Sequence, residues 1–141
     1  MAGTAAAAEE QKFSLAWRSA EPVLDYKLWG YWTEQDALAW QSAITKAATT
    51  RSRAGAWYML GDLSEMRAQR QEVNLIRDEV TDMALRNGLG ACLMYGMKDV
   101  SLLQLRRLLA NSGREERFGY FETREDAEQE LRTRMHGVLS S

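Results

Sequence analysis

Gly90-Ala91-Cys92-Leu93-Met94-Tyr95-Gly96 is an almost unbroken apolar run closed at each end by glycine. A run of this length and composition reads as a central strand covered on both faces, as parallel sheets require. Upstream, Arg67 to Asn87 carries Val73, Ile76, Val80, Met83 and Ala84 at helical spacing, with Gly88 as a left-handed stop. Before it, Ala56 to Leu63 (AWYMLGDL) is a second apolar strand. Downstream, Lys98 or Asp99 opens a helix striped by Leu102, Leu105, Leu108 and Leu109, which Asn111-Ser112-Gly113 ends. Arg117 to Glu122 (RFGYFE) is a short strand. Thr123, with Asp126 three residues on, caps a last helix that buries Ala127, Leu131 and Met135.

The N-terminal part extends the same alternation. Phe13, Leu15 and Trp17 alternate with polar or small residues, Ser19 to Pro22 makes a turn, and Val23 to Trp32 forms the hairpin partner. Leu24, Tyr26, Leu28 and Trp32 share one face; Asp25, Lys27, Trp29 and Tyr31 share the other. Thr33 and Asp36 then open a helix with Ala37, Trp40, Ile44 and Ala47 or Ala48 inward. The predicted order is β-β-α-β-α-β-α-β-α. The fold class is α/β, a single domain with a mixed, largely parallel sheet of about five strands and about four helices. Residues 1–10 are expected as a flexible tail and 11–139 as the domain.

Three stretches of this chain resemble the STAS superfamily, the sulfate-transporter and anti-sigma-factor-antagonist domains, in its SpoIIAA-like branch. They are Asp62-Leu63-Ser64, similar to a strand-to-helix DLS turn; Gly90–Gly96 with the Leu-rich stretch through Leu109; and Phe121-Glu122-Thr123-Arg124-Glu125-Asp126-Ala127-Glu128-Gln129-Glu130-Leu131. The likeness spans roughly residues 12 to 135, and its strength lies in the order of the motifs. It implies a non-enzymatic, protein-binding regulatory module of bacterial signalling, sometimes governed by Ser/Thr phosphorylation. Family antagonists carry an Asp-Ser-x-Gly phosphoacceptor before the next helix. Here Met66-Arg67-Ala68-Gln69-Arg70-Gln71 has neither Ser nor Gly. The related Sec14-like group implies an alternative, a small carrier of an apolar, lipid-like ligand.

Composition narrows the remaining classes. The chain has 141 residues, 45% hydrophobic, with 18 basic against 20 acidic side chains and a net charge of −2. It shows no basic footprint for nucleic acid and no Lys/Arg cluster for an anionic membrane. No apolar run approaches a membrane span, and MAGTAAAAEE lacks the basic and apolar regions of a signal peptide. The single Cys92 precludes an internal disulfide and favours a cytoplasmic setting. His136 is the sole histidine, so no Ser-His-Asp triad, Cys-His dyad or structural zinc site is expected. No enzyme activity, cofactor or metal is expected. A hydrolase or transferase would require Asp62, Ser64 and another carboxylate to converge in one deep pocket.

The candidate contacts for a protein partner, or for a homodimer, are Trp29, Tyr31, Trp57, Asp62, Ser64, Arg67 and Arg70. The rings would leave an aromatic patch on the wetter sheet face, with Trp17 and Trp57 expected near Trp29 and Tyr31. Asp62 and Ser64 are expected where a strand hands over to a helix, as caps or as contacts near its N-terminus. Gly88-Leu89-Gly90 precedes a strand and so reads as a helix stop. Gly96-Met97-Lys98-Asp99 lacks the repeated glycines of a phosphate loop.

Overall fold

The computed structural model describes residues 11–51, 55–97, 103 and 115–140. The elements are β1 (Phe13–Trp17), β2 (Val23–Gly30), α1 (Glu34–Arg51), β3 (Trp57–Met66), α2 (Gln71–Arg86), β4 (Leu89–Tyr95), a 3-10 turn (Glu115–Arg117), β5 (Phe118–Phe121) and α3 (Arg124–Ser140). The five strands lie in the order β1-β2-β3-β4-β5. β1 pairs antiparallel with β2 and every other pair is parallel, the mixed sheet expected. Except for residue 103, the helix expected to open at Lys98 or Asp99 lies outside the described residues, as does the tail 1–10, so three helices are described and not four.

The sheet divides two apolar layers. Phe13, Leu24, Tyr26, Leu28, Trp57, Met59, Cys92 and Met94 point to the side of α1 and α2. Val23, Tyr58, Leu60, Ala91 and Leu93 point to the side of α3, where Ala127 and Leu131 meet them. β4 is thus buried on both faces, as its apolar run requires. Trp40 of α1 lies 5.4 Å from the Phe13 ring, edge-on, and 5.3 Å from Tyr26. Removing side chains such as Trp32, Trp40 and Trp57 from water contributes about 2–3 kcal/mol each.

Local chemistry fixes the ends of α1 and α3. Thr33 N–H donates to Asp36 Oδ2 at 2.8 Å and Asp36 N–H returns a bond to Thr33 Oγ1 at 3.2 Å, a reciprocal cap. Asp126 N–H donates to Thr123 Oγ1 in the same way at α3. α2 differs from expectation: it begins at Gln71, and its N-cap Arg70 makes no side-chain capping bond. Instead β3 runs on through Leu63 to Met66.

The reason is a bulge. Lys27 pairs with Asp62 but Trp29 pairs with Glu65, so β3 spends one extra residue against β2. Leu63 and Met66 both enter the α1–α2 core, while Ser64 and Glu65 stay outside it. Asp62-Leu63-Ser64 is therefore a kink inside a strand. It is not the strand-to-helix turn read from the sequence.

Candidate functional site

α3 covers β3, β4 and β5 on its side of the sheet, and α1 and α2 cover the other side. Beside α3, the β1–β2 part of that face is open among the described residues. The strand register lays Ser14, Lys27, Asp62, Tyr95 and Phe121 in one row across all five strands. The next row runs Ala16, Asp25, Leu60 and Leu93. Small side chains on β1 and the step up to α3 leave a groove of about 300 Å³ between these rows. Asp25, Lys27, Asp62, Tyr95 and Arg124 supply its polar groups.

Charges around the groove are mostly committed to one another. Arg18 gives Nε and Nη2 to the two oxygens of Asp25, at 2.7 and 3.0 Å, and also bonds Glu21 and Glu128. These carboxylates, Asp25 foremost, raise the Arg18 pKa despite its partial burial. Arg132 meets Glu21 at 3.4 Å, which ties α3 to the β1–β2 hairpin. The Lys27 ammonium sits on Glu65, and that hydrogen bond raises its pKa. Asp62 is used differently. Its Oδ1 accepts from Ser64 N–H at 2.9 Å and from Ser64 Oγ at 2.7 Å, and among the described residues no cation is bonded to it. Tyr95 lies beside Asp62; burial first, then the Asp62 charge, raise its pKa, so the phenol stays protonated.

A second cluster stands at the carboxyl ends of β2 and β3. Gln69, 5% exposed, accepts from Trp32 N–H at 2.7 Å and donates to the carbonyls of Gly30 at 2.9 Å and Arg67 at 2.6 Å. This clamp presents Tyr31, 43% exposed, with the Arg70 guanidinium 5.8 Å from its ring centre. Arg67 is exposed on the same loop.

The structure thus joins Tyr31 with Arg70 and Asp62 with Ser64, and leaves Trp29 half-buried on the open face. Trp57 is elsewhere. It lies on the α1–α2 side, fully buried, edge-on to Trp17 at 5.6 Å, with its indole N–H on the Asn87 carbonyl. Strand parity puts Trp17 and Trp57 on the face opposite Trp29, so these rings do not form the expected patch. Ser64 cannot cap α2, which starts seven residues later, and Asp62 caps the bulge instead. Ser14, Asp25, Lys27, Tyr95 and Arg124 were not singled out from the sequence as a site; only the register brings them together.

Asp62 and Asp25 share an open groove and not a deep pocket, and His136 is exposed on α3. A second cavity of about 340 Å³, between α1 and α2, is lined by Gln41, Thr45, Glu79, Asp82 and Arg86 among others. Charged groups line both cavities, whereas a lipid-like guest needs an apolar lining. Among the described residues no cluster of His, Cys, Asp and Glu could hold a metal, and no helix is long and apolar enough to cross a membrane.

No protein-family profile matches the chain, and no curated protein matches it. Solved structures do. The anti-sigma factor antagonist SpoIIAA in its unphosphorylated form superposes with a TM-score of 0.60 at 11% identity, over 85% of this chain and 97% of that one. The chain has a SpoIIAA-like fold. An uncharacterized protein of the DUF3478 family from Shewanella loihica PV-4, with the same type of fold, gives 0.59 at 18% identity over 85% and 93%. The phosphorylated Bacillus cell fate determinant SpoIIAA gives 0.52 at 14% identity over 84% and 98%. At these identities the likeness establishes the fold alone.

Proposed function

We propose that this SpoIIAA-like chain is a non-enzymatic regulatory module that works in the cytoplasm by capturing a partner protein. It does so through the open β1–β2 face and the adjoining Arg67–Arg70 turn. The observation that carries this reading is the Gln69 clamp, which spends three hydrogen bonds on a loop whose outward groups are Tyr31, Arg67 and Arg70. A buried amide so fully used gives a rigid platform, and exposed Tyr and Arg side chains on rigid platforms are what protein interfaces favour. The shared fold adds weight, since one protein of that fold is described as an anti-sigma factor antagonist. The phosphoacceptor role of that fold is not part of the proposal, because Met66–Gln71 offers no hydroxyl.

The test is a double variant, Trp29→Ser with Tyr31→Ser. Partner capture from host lysate, or self-association followed by light scattering, should be abolished while the far-UV circular dichroism is unchanged. Undiminished assembly by the variant would discard this surface. A stoichiometric small molecule on the purified protein, seen by native mass spectrometry, would favour the carrier instead.

A further inference from the structure

The groove has one carboxylate that no cation bonds among the described residues, although the nearby Lys27 ammonium feels its charge. Asp25 is held on both oxygens by Arg18, and Glu128 is shared by Arg18 and Arg124. Lys27 stands directly across from Asp62 in the β2–β3 register, yet its ammonium is drawn away to Glu65. Asp62 therefore keeps Oδ2 free of any hydrogen bond among the described residues, across from Tyr95 in the β3–β4 register and in the same groove. A carboxylate and an aromatic ring on one wall make a seat for an ammonium or guanidinium group.

We propose that this groove receives the cationic side chain of an arginine or lysine presented by a peptide segment of the partner. The guest cation donates to Asp62 Oδ2 and lies against Tyr95. Small-molecule sites enclose most of their ligand, whereas this groove is open among the described residues, with Ser14, Leu15 and Ala16 of the edge strand β1 in its lining. That shape suits a side chain held by its own backbone better than a free amine. The inference rests on the reading that this face meets a partner protein, and it adds the chemistry by which that partner is recognised.

The probe is the capped tripeptide acetyl-Ala-Arg-Ala-amide, titrated into the full chain and followed by amide chemical shifts. Shifts should concentrate on residues 14–16, 25–27, 60–62, 95 and 124. Asp62→Asn, which keeps an oxygen for Ser64, should weaken binding roughly tenfold, the loss of one charge-assisted hydrogen bond. Glu65→Gln should weaken it as well, because Lys27 is then released onto Asp62. That variant alters an exposed side chain and keeps the test open if Asp62→Asn unfolds. Glu79→Gln, between α1 and α2, should change nothing. Three results would each overturn the proposal: shifts elsewhere, equal binding of the norleucine or glutamate tripeptide, or variants that bind as the parent does. Methylguanidinium binding as tightly as the tripeptide would replace the peptide with a small cation. Partner capture that is lost in the Trp29/Tyr31 variant but intact in Asp62→Asn would overturn the groove while leaving the module reading in place.

Discussion

Single positions in this protein are constrained mainly by contacts across the sheet. Gly61 lies under the Tyr26 ring: a Cβ built there would stand 2.1 Å from Tyr26 Cζ. Tyr26 in turn places its hydroxyl 3.2 Å from Cys92 Sγ on the next strand but one. Gly61→Ala must therefore expel a buried ring, and should cost about 3 kcal/mol by urea unfolding. A loss below about 0.5 kcal/mol would mean that the ring is free to move. Gly96 is held for a related reason, with φ +85° and a would-be Cβ 2.9 Å from that of Ser64. The sequence marks such glycines as breaks in an apolar pattern without saying what presses on them. Trp57 shows the same limit: its aromatic character was legible, but the face it occupies follows from parity along β3 and from pairing with β4.

At the level of elements, legibility followed how local the cause was. The caps of α1 and α3 were readable because Thr33 and Asp36, and Thr123 and Asp126, need only their own turn. The start of α2 was not, because it depends on a bulge that exists only against β2. Gln69 belongs to the same unreadable class; nothing in a run of polar residues reveals a side chain that fastens two strand ends. Gln69→Ala strands the buried Trp32 N–H and leaves the Gly30 carbonyl only its bond from the Arg67 N–H, and should destabilise by about 2 kcal/mol. Hydrogen exchange should report the loss first at residues 30–33 and 66–70, ahead of β4. Uniform acceleration of exchange across the sheet would contradict a clamp of this local kind.

The whole molecule follows from the strand order, and that part the sequence carried well: alternating strands and helices, a leading hairpin, and one strand apolar on both faces. What it could not carry was the uneven cover of the sheet among the described residues, which creates the groove. Burial also sets a global response to alkali. It raises the Tyr26 pKa and pushes the Cys92 thiol from 9.0 up to about 11. Acids whose pKa is raised by folding bind their protons more tightly in the native state. Their contribution is complete below the unfolded value and is lost as pH climbs through the folded one. Stability should thus be level up to about pH 9 and fall between 9 and 11, the thiol accounting for about 2 kcal/mol. Cys92→Ala should flatten part of that decline in urea melts taken at each pH, and an unchanged slope would show that the thiol does not titrate in this range.

The Arg18 cluster carries a consequence for synthesis. Its guanidinium belongs to the opening hairpin, whereas Glu128, to which it donates, and Arg132, which donates to Glu21, are translated more than a hundred codons later. On the ribosome, Asp25 and Glu21 can answer the cation as soon as the hairpin forms, but the seam with α3 must wait until that helix has left the exit tunnel. This corner can therefore shut only after every residue from 18 to 132 has emerged, a closure of high sequence separation.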